Sequence, residues 1–183
     1  MPIKTNWYII TGGPSSGKTK VLEQLSFLGY RTIPEVARII IDVERSNGKT
    51  TTEIRKNEGA FQKKVLQMKI ELENRLIKNE CIFLERAIPD SIVYDIIAKI
   101  NPSKSIAASK KRTYAGILLL DQLPFEYDYA RTENNKTAEQ IAKLLKKIYT
   151  DLGYTIIKVP VMPIDKRAQF ILKKIKSFSQ SSL

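Results

Sequence analysis

Trp7-Tyr8-Ile9-Ile10-Thr11-Gly12-Gly13-Pro14-Ser15-Ser16-Gly17-Lys18-Thr19 is the stretch that decides the fold. Residues 7–11 are an apolar run ending at two glycines, the pattern of a buried strand feeding a turn. Gly12 to Thr19 fits G-x-x-x-x-G-K-[ST] without a gap. After it, Val21, Leu22, Leu25 and Leu28 recur at helical spacing, and Gly29 suits the position just past a helix end. Glycines let the backbone wrap closely round an anion, and the opening helix adds its positive end. Gly12, Gly13, Pro14, Ser15, Ser16, Gly17, Lys18 and Thr19 are therefore the candidate cradle for a nucleoside triphosphate, ATP or GTP. Lys18 would reach the β- and γ-phosphates, and the Thr19 hydroxyl would hold Mg²⁺. The bland alternative is a glycine turn that binds nothing.

Outward from this loop the chain alternates between strand and helix. Residues 30–33, 81–84 and 154–159 and Gly116–Leu120 read as further short strands. Helices are predicted over 36–43, 58–78, 89–99, 137–152 and 164–178. In the longest of these, Phe61, Val65, Met68, Leu72 and Leu76 form one apolar stripe. Residues 101–113 are polar and lysine-rich, and read as a loop or mobile insert. Residues 121–136 read as an irregular, lid-like segment, and 177–183 as a flexible tail. Five apolar strands alternating with helices predict an α/β fold, a parallel sheet covered on both faces, in a single domain spanning 1–183.

Composition narrows the chemistry. The 183 residues contain no histidine, which excludes Ser-His-Asp and Cys-His nucleophiles, a histidine base and histidine metal sites. Cys81 is the single cysteine, so no intrachain disulfide or thiolate zinc cluster can form. No apolar run approaches the ~18 residues of a membrane span, and no signal-peptide pattern opens the chain, so a cytoplasmic location is expected. Lys plus Arg number 31 against 19 Asp plus Glu, a net charge of +12. Such an excess attracts nucleotides, nucleic acid or anionic lipid, or is simply a lysine-rich surface.

Phosphoryl transfer needs a metal-holding carboxylate, cations on the transferring group and something to orient the acceptor. Two predicted strands end in acids, Glu85 and Asp121. Glu85 is preferred because Arg86 follows it, pairing a metal ligand with a phosphate clamp; Asp121 reads more readily as a turn or helix-capping acid. Glu35 follows the strand at 30–33, at the sheet rim where ligands gather, and can accept a hydroxyl proton. Arg38 lies one helical turn on and can meet a phosphate. The bland reading of Glu35 is an acid favoured by a helix N-terminus. Arg131, in the irregular segment, is the candidate lid cation that closes over the phosphates.

Thr11 to Thr19, Pro34-Glu35-Val36-Ala37-Arg38, Glu85-Arg86-Ala87-Ile88-Pro89-Asp90, and Leu152-Gly153-Tyr154 through Val159-Pro160 resemble the small AAA-type predicted ATPases. That group is related to the NadR nicotinamide-riboside-kinase domain and to translocation-defect-type GTP-binding proteins. The resemblance implies a P-loop NTPase fold: a three-layer α/β/α sandwich on a five-stranded parallel sheet in the order 2-3-1-4-5. The wider resemblance to nucleoside and nucleotide kinases implies that Glu35 activates the acceptor, that Glu85 and Arg86 position metal and phosphate, that Arg131 is a lid arginine, and that Asp90 lies near the acceptor pocket. Relatives often carry Asp and Gly where this chain has Glu85 and Ala87.

The expectation is a phosphotransferase moving the γ-phosphoryl of ATP to a small nucleoside- or nucleotide-like acceptor, with Lys18, Glu35, Arg86 and Arg131 catalytic, Thr19 and Glu85 on Mg²⁺, and Glu35, Arg38 and Asp90 on the acceptor. The alternative is an NTP-binding switch or NTPase engaging an anionic partner. It is suggested by Lys104, Lys110, Lys111 and Arg112, and by Lys166, Arg167, Lys173, Lys174 and Lys176. Phospholipid headgroups rank above nucleic acid there, since no aromatic-interleaved groove pattern for single strands is present.

Overall fold

The computed structural model describes residues 1–124 and 135–180. Among these residues fifteen elements follow one another. They are β1 (Ile3–Lys4), β2 (Trp7–Thr11), α1 (Lys18–Phe27), β3 (Arg31–Ile33), α2 (Val36–Ser46), α3 (Thr51–Arg55), α4 (Glu58–Arg75), β4 (Ile82–Glu85), α5 (Ile88–Ile97), α6 (Ser103–Ser109), β5 (Arg112–Thr113), β6 (Gly116–Leu120), α7 (Asn135–Asp151), β7 (Ile156–Val159) and α8 (Ile164–Gln180).

Five strands form one parallel sheet in the order β3-β4-β2-β6-β7, which counted along the chain is 2-3-1-4-5. β2 is central and buried throughout, so its sequence is a continuous apolar run rather than an alternating one. Its side chains still divide by face. Trp7 and Ile9 pack with Leu84, Ile117 and Leu119 against Val93 of α5 and Ile141, Leu145 and Tyr149 of α7. Tyr8 and Ile10 pack with Phe83, Leu118 and Leu120 against Val21, Leu22 and Leu25 of α1 and Ala168 and Ile171 of α8. The result is three layers. The edges are β3, three residues long, and β7.

The segment 101–113 is not a mobile insert. It folds as α6 and β5, and β5 pairs in parallel with β1. Two of its serines, Ser105 and Ser109, face inward. Ser105 Oγ donates to Asp95 Oδ2 at 2.7 Å, and Ser109 Oγ donates to the Ser105 carbonyl at 2.7 Å. A polar composition hides a packed helix when the hydroxyls find buried acceptors. α3 also went unforeseen, although Thr50 and Glu53 form a reciprocal capping box at its start. α8 runs to Gln180, so most of the expected tail is helical. Among the described residues no helix is long and apolar enough to cross a membrane.

Candidate functional site

The glycine-rich loop leaves the carboxyl end of central β2 and enters α1. Gly17 caps that helix in the left-handed region (φ 78°), and Ser15 is also left-handed (φ 61°). Alternating hand curls a chain into an anion-binding concavity. Inside the curl, Lys18 Nζ donates to the Gly13 carbonyl at 3.0 Å and to Ser16 Oγ at 3.4 Å. Burial, then the charge of Arg86, pull its pKa down to about 8 against the opposing pull of Glu85, Glu35 and Asp90. The loop is also held from outside. Gln122 Nε2 donates to the Pro14 carbonyl, and the Leu123 amide donates to the Ser15 carbonyl at 3.1 Å. Arg167 of α8, 1% exposed, donates from Nη1 to the Ser16 carbonyl (2.7 Å), from Nη2 to the Asp121 carbonyl (3.0 Å) and from Nε to the Pro160 carbonyl (2.9 Å).

Glu85 ends β4 in register with Ile10 of β2, which sets it beside the loop. The Thr19 hydroxyl lies 3.1 Å from each of its carboxylate oxygens. Burial and the nearby Glu35 charge push the Glu85 pKa up, opposed by Lys18, Arg86 and Thr19. Asp121 is placed differently: its side chain pairs with Lys158 at 3.7 Å on a solvated face, and it does not line the cleft. No cluster of three or more carboxylates or other metal-ligating side chains occurs among the described residues. A hydroxyl plus one carboxylate suits Mg²⁺, which is usually bound by one or two carboxylates together with phosphate oxygens and water.

Arg86 follows Glu85 in a left-handed conformation (φ 62°), a backbone state that costs a non-glycine residue about 1–3 kcal/mol. The turn is held on every side. The Arg86 amide donates to the Ile10 carbonyl (3.0 Å), the Ala87 amide to Asp90 Oδ2 (3.0 Å) and the Ile88 amide to Glu73 Oε1 (3.2 Å). Lys69 Nζ donates to the Ala87 carbonyl (3.0 Å) and to Ser91 Oγ (3.2 Å). The guanidinium then forks: Nε meets Glu35 Oε1 at 2.8 Å, Nη1 meets Asp90 Oδ1 at 3.2 Å, and the group lies over the Tyr94 ring. Burial disfavours its charge, yet Tyr94, Glu35, Asp90 and Glu85 raise its pKa well above the ordinary arginine value.

Glu35 stands just before α2 as its N-cap. Burial tends to raise its pKa, but Arg86, Lys18, Lys69 and Arg38 together hold it below the usual carboxylate range. Asp90 corrects an expectation. It is fully buried (0% exposed) and does not line the cleft. Its oxygens accept from Thr11 Oγ1 (2.6 Å), Tyr149 OH (2.5 Å), Arg86 and the Ala87 amide, so it fixes Arg86 from behind.

These groups border one cleft of about 500 Å³. One end is the loop from Pro14 to Thr19. The other is walled by Arg38 and Ile41 of α2, by Phe61, Val65 and Lys69 of α4, and by Tyr94 of α5. Arg131 lies outside the described residues. Two members of the basic segments are not on the surface at all. Arg112 is buried, 3.3 Å from Glu73 and bonded to Asn74, and Arg167 is the loop clamp just described. Sequence reasoning missed Lys69, Glu73 and Tyr149, and took Arg167 for a surface cation. The signal for the first two was available: Phe61, Val65, Lys69 and Glu73 continue one four-residue spacing, so a charged pair sits on a buried stripe.

Residues 7–167 match the family model described as the AAA domain. The chain belongs to that AAA domain family. This AAA domain is similar in structure to the NadR protein in complex with NR (TM-score 0.73, 13% identity), covering 95% of this chain but spanning only 50% of the NadR chain. It is also similar to deoxyadenosine kinase from M. mycoides (TM-score 0.66, 13% identity, 93% of this chain and 98% of that one). A third likeness is to shikimate kinase from Acinetobacter baumannii in complex with shikimate (TM-score 0.59, 20% identity, 95% and 94%). These likenesses establish a P-loop kinase fold. No curated protein matches the sequence.

Proposed function

We propose that this AAA domain is a P-loop phosphotransferase that moves the γ-phosphoryl group of ATP, or of GTP, to a small nucleoside- or nucleotide-like acceptor. The observation that carries the reading is that the curled loop and the Glu35–Arg86 pair border one cleft, with Thr19 and Glu85 between them. Lys18 and the loop amides grip the triphosphate. Thr19 and Glu85 hold Mg²⁺, which supplies charge neutralisation to the phosphates. Arg86, fixed by Asp90, presents a cation that cannot lose its proton to the developing charge. Glu35 accepts a hydrogen bond from the acceptor and orients its oxygen. Its low pKa suits orienting more than early proton removal. Arg131 serves as a lid cation.

The test is incubation with γ-labelled ATP and Mg²⁺ against a panel of nucleosides, nucleotides, nicotinamide riboside and shikimate. A labelled acceptor that disappears with Lys18→Ala supports the reading. Tight triphosphate binding with no labelled acceptor across the panel counts against it.

The switch reading keeps one observation in its favour. Lys166, Lys173, Lys174 and Lys176 are exposed on α8, and Lys104, Lys110 and Lys111 are exposed around α6. Salt-sensitive co-sedimentation with anionic liposomes, dependent on bound triphosphate, would favour it.

A further inference from the structure

Lys18 and Lys69 share an unusual state. Both residues are nearly inaccessible, at 6% and 4% exposed, and both line the same cleft from opposite ends. Both have only neutral hydrogen-bond partners: a carbonyl and a hydroxyl in each case. Neither forms an ion pair with a carboxylate among the described residues. Arg167 is also held by carbonyls alone, but it uses all three guanidinium nitrogens on them and does not line the cleft, whereas three other arginines are paired with carboxylates. Arg86 is paired with Glu35 and Asp90, Arg112 with Glu73, and Arg55 with Glu58. A buried charge without a counter-charge is costly, and replacing it by an apolar group of like size would often stabilise a fold. For Lys18 the missing counter-charge is the triphosphate.

Resting on the phosphotransferase reading, we propose that Lys69 is the receptor for a second anion, and that the acceptor is therefore a small molecule bearing a phosphate or carboxylate group. The site has the necessary parts. Lys69 uses two of its three donors on Ala87 and Ser91, which leaves one N–H and the whole positive charge for a ligand. Its anchors hold the ammonium rigidly, so little freedom is lost on binding. Arg38 borders the same end of the cleft, and Ile41, Phe61 and Val65 supply apolar wall for an uncharged body. Burial lowers the Lys69 pKa and Arg86 adds to this, while Asp90, Glu35 and Glu73 pull it back at longer range. An arriving anion would complete that restoration.

The test uses full-length protein saturated with Mg²⁺ and AMP-PNP, so that the loop is filled and a second anion must bind elsewhere. Calorimetric titrations compare thymidine with thymidine monophosphate, adenosine with AMP, and shikimate with its methyl ester; nicotinamide riboside, whose ring is cationic, is the reverse control. In at least one pair the charged member binds about tenfold or more tightly than the neutral one, and the phosphate and carboxylate arms say which anion is taken. Lys69→Met lowers the affinity of that member by about ten- to a hundredfold, the range for a hydrogen bond to a charged group, and that of its neutral counterpart by less than about threefold. Lys69→Arg restores most of it. Equal affinity within every pair, preference for nicotinamide riboside, or a Lys69→Met loss shared equally by charged and neutral members overturns the proposal. The wild-type comparison stands even if the methionine variant fails to fold. Failure of AMP-PNP itself to bind instead removes the phosphotransferase reading on which the proposal rests.

Discussion

Replacing Arg167 by methionine keeps an unbranched apolar stem and removes three hydrogen bonds at once. The carbonyls of Ser16, Asp121 and Pro160 then lose partners at 2.7, 3.0 and 2.9 Å. A hydrogen bond to a charged group contributes about 1.5–3 kcal/mol, and part of the sum returns because a guanidinium no longer has to be desolvated. The net loss expected is about 3–6 kcal/mol, a large share of the ~5–15 kcal/mol that holds a typical domain together. With a urea slope of about 2 kcal/mol per molar, the unfolding midpoint should fall by roughly 2 M. Arg167→Lys offers donors from a single point and should lose about half as much. The damage is also local. Ser16 sits inside the phosphate cradle, so triphosphate affinity measured by calorimetry should drop about tenfold even in the milder variant. A methionine variant within about 1 kcal/mol of the parent, with unchanged triphosphate affinity, would refute the reasoning.

Triphosphate affinity should be flat below pH 8 and fall above it by up to about tenfold per pH unit, because binding needs the Lys18 ammonium and its pKa in the open cradle is about 8; Lys18→Ala should abolish the dependence, read by titration calorimetry from pH 7 to 10. Gly13→Ala puts a Cβ 2.8 Å from the Ala138 carbonyl and 2.6 Å from Gln122 Oε1, so the loop must shift; a cost of about 1–3 kcal/mol is expected as a lower melting temperature, with weakened triphosphate binding. Burial pushes the Glu73 pKa from 4.5 up to about 7, opposed by Arg112, Tyr114, the Ile88 amide and Lys69. The folded state therefore keeps this proton while the unfolded chain has lost it. The stabilisation is complete below pH 4.5 and is lost as pH rises through 7, on the order of 3 kcal/mol. Urea midpoints at pH 5 and 7.5 should differ less for Glu73→Gln than for the parent.

The phosphate cradle and the sheet were legible because they depend on local pattern. Gly12 to Thr19 is a contiguous motif between an apolar run and a helical spacing, and four of the five strands of the main sheet are short, largely apolar runs with a break beside them. Glu85 and Arg86 could be read as rim residues because a parallel sheet sends all its carboxyl ends to one side. The rest depends on contacts far apart in sequence. Nothing near Arg167 says that its guanidinium crosses to Ser16, 151 positions away. Asp90 looks like an acceptor-binding acid in its motif, but Tyr149, 59 positions on, and Thr11, 79 positions back, take up its oxygens. On α4 the apolar stripe through Met68 and Leu72 drew attention from the buried one through Lys69 and Glu73, because a helix packed on two sides has two stripes. The polarity of 101–113 misled for a related reason: composition does not record which way a serine points.

The two edges of the sheet carry a consequence for how copies of this chain meet. β3 offers only three residues for further pairing, and Arg31 at its start is drawn into an ion pair with Glu80. β7 exposes Lys158 midway along its four residues. A neighbouring strand that tried to extend the ladder on either side would find too few free backbone groups or a charged side chain in its path. Edge-to-edge extension of this five-stranded sheet is thus disfavoured.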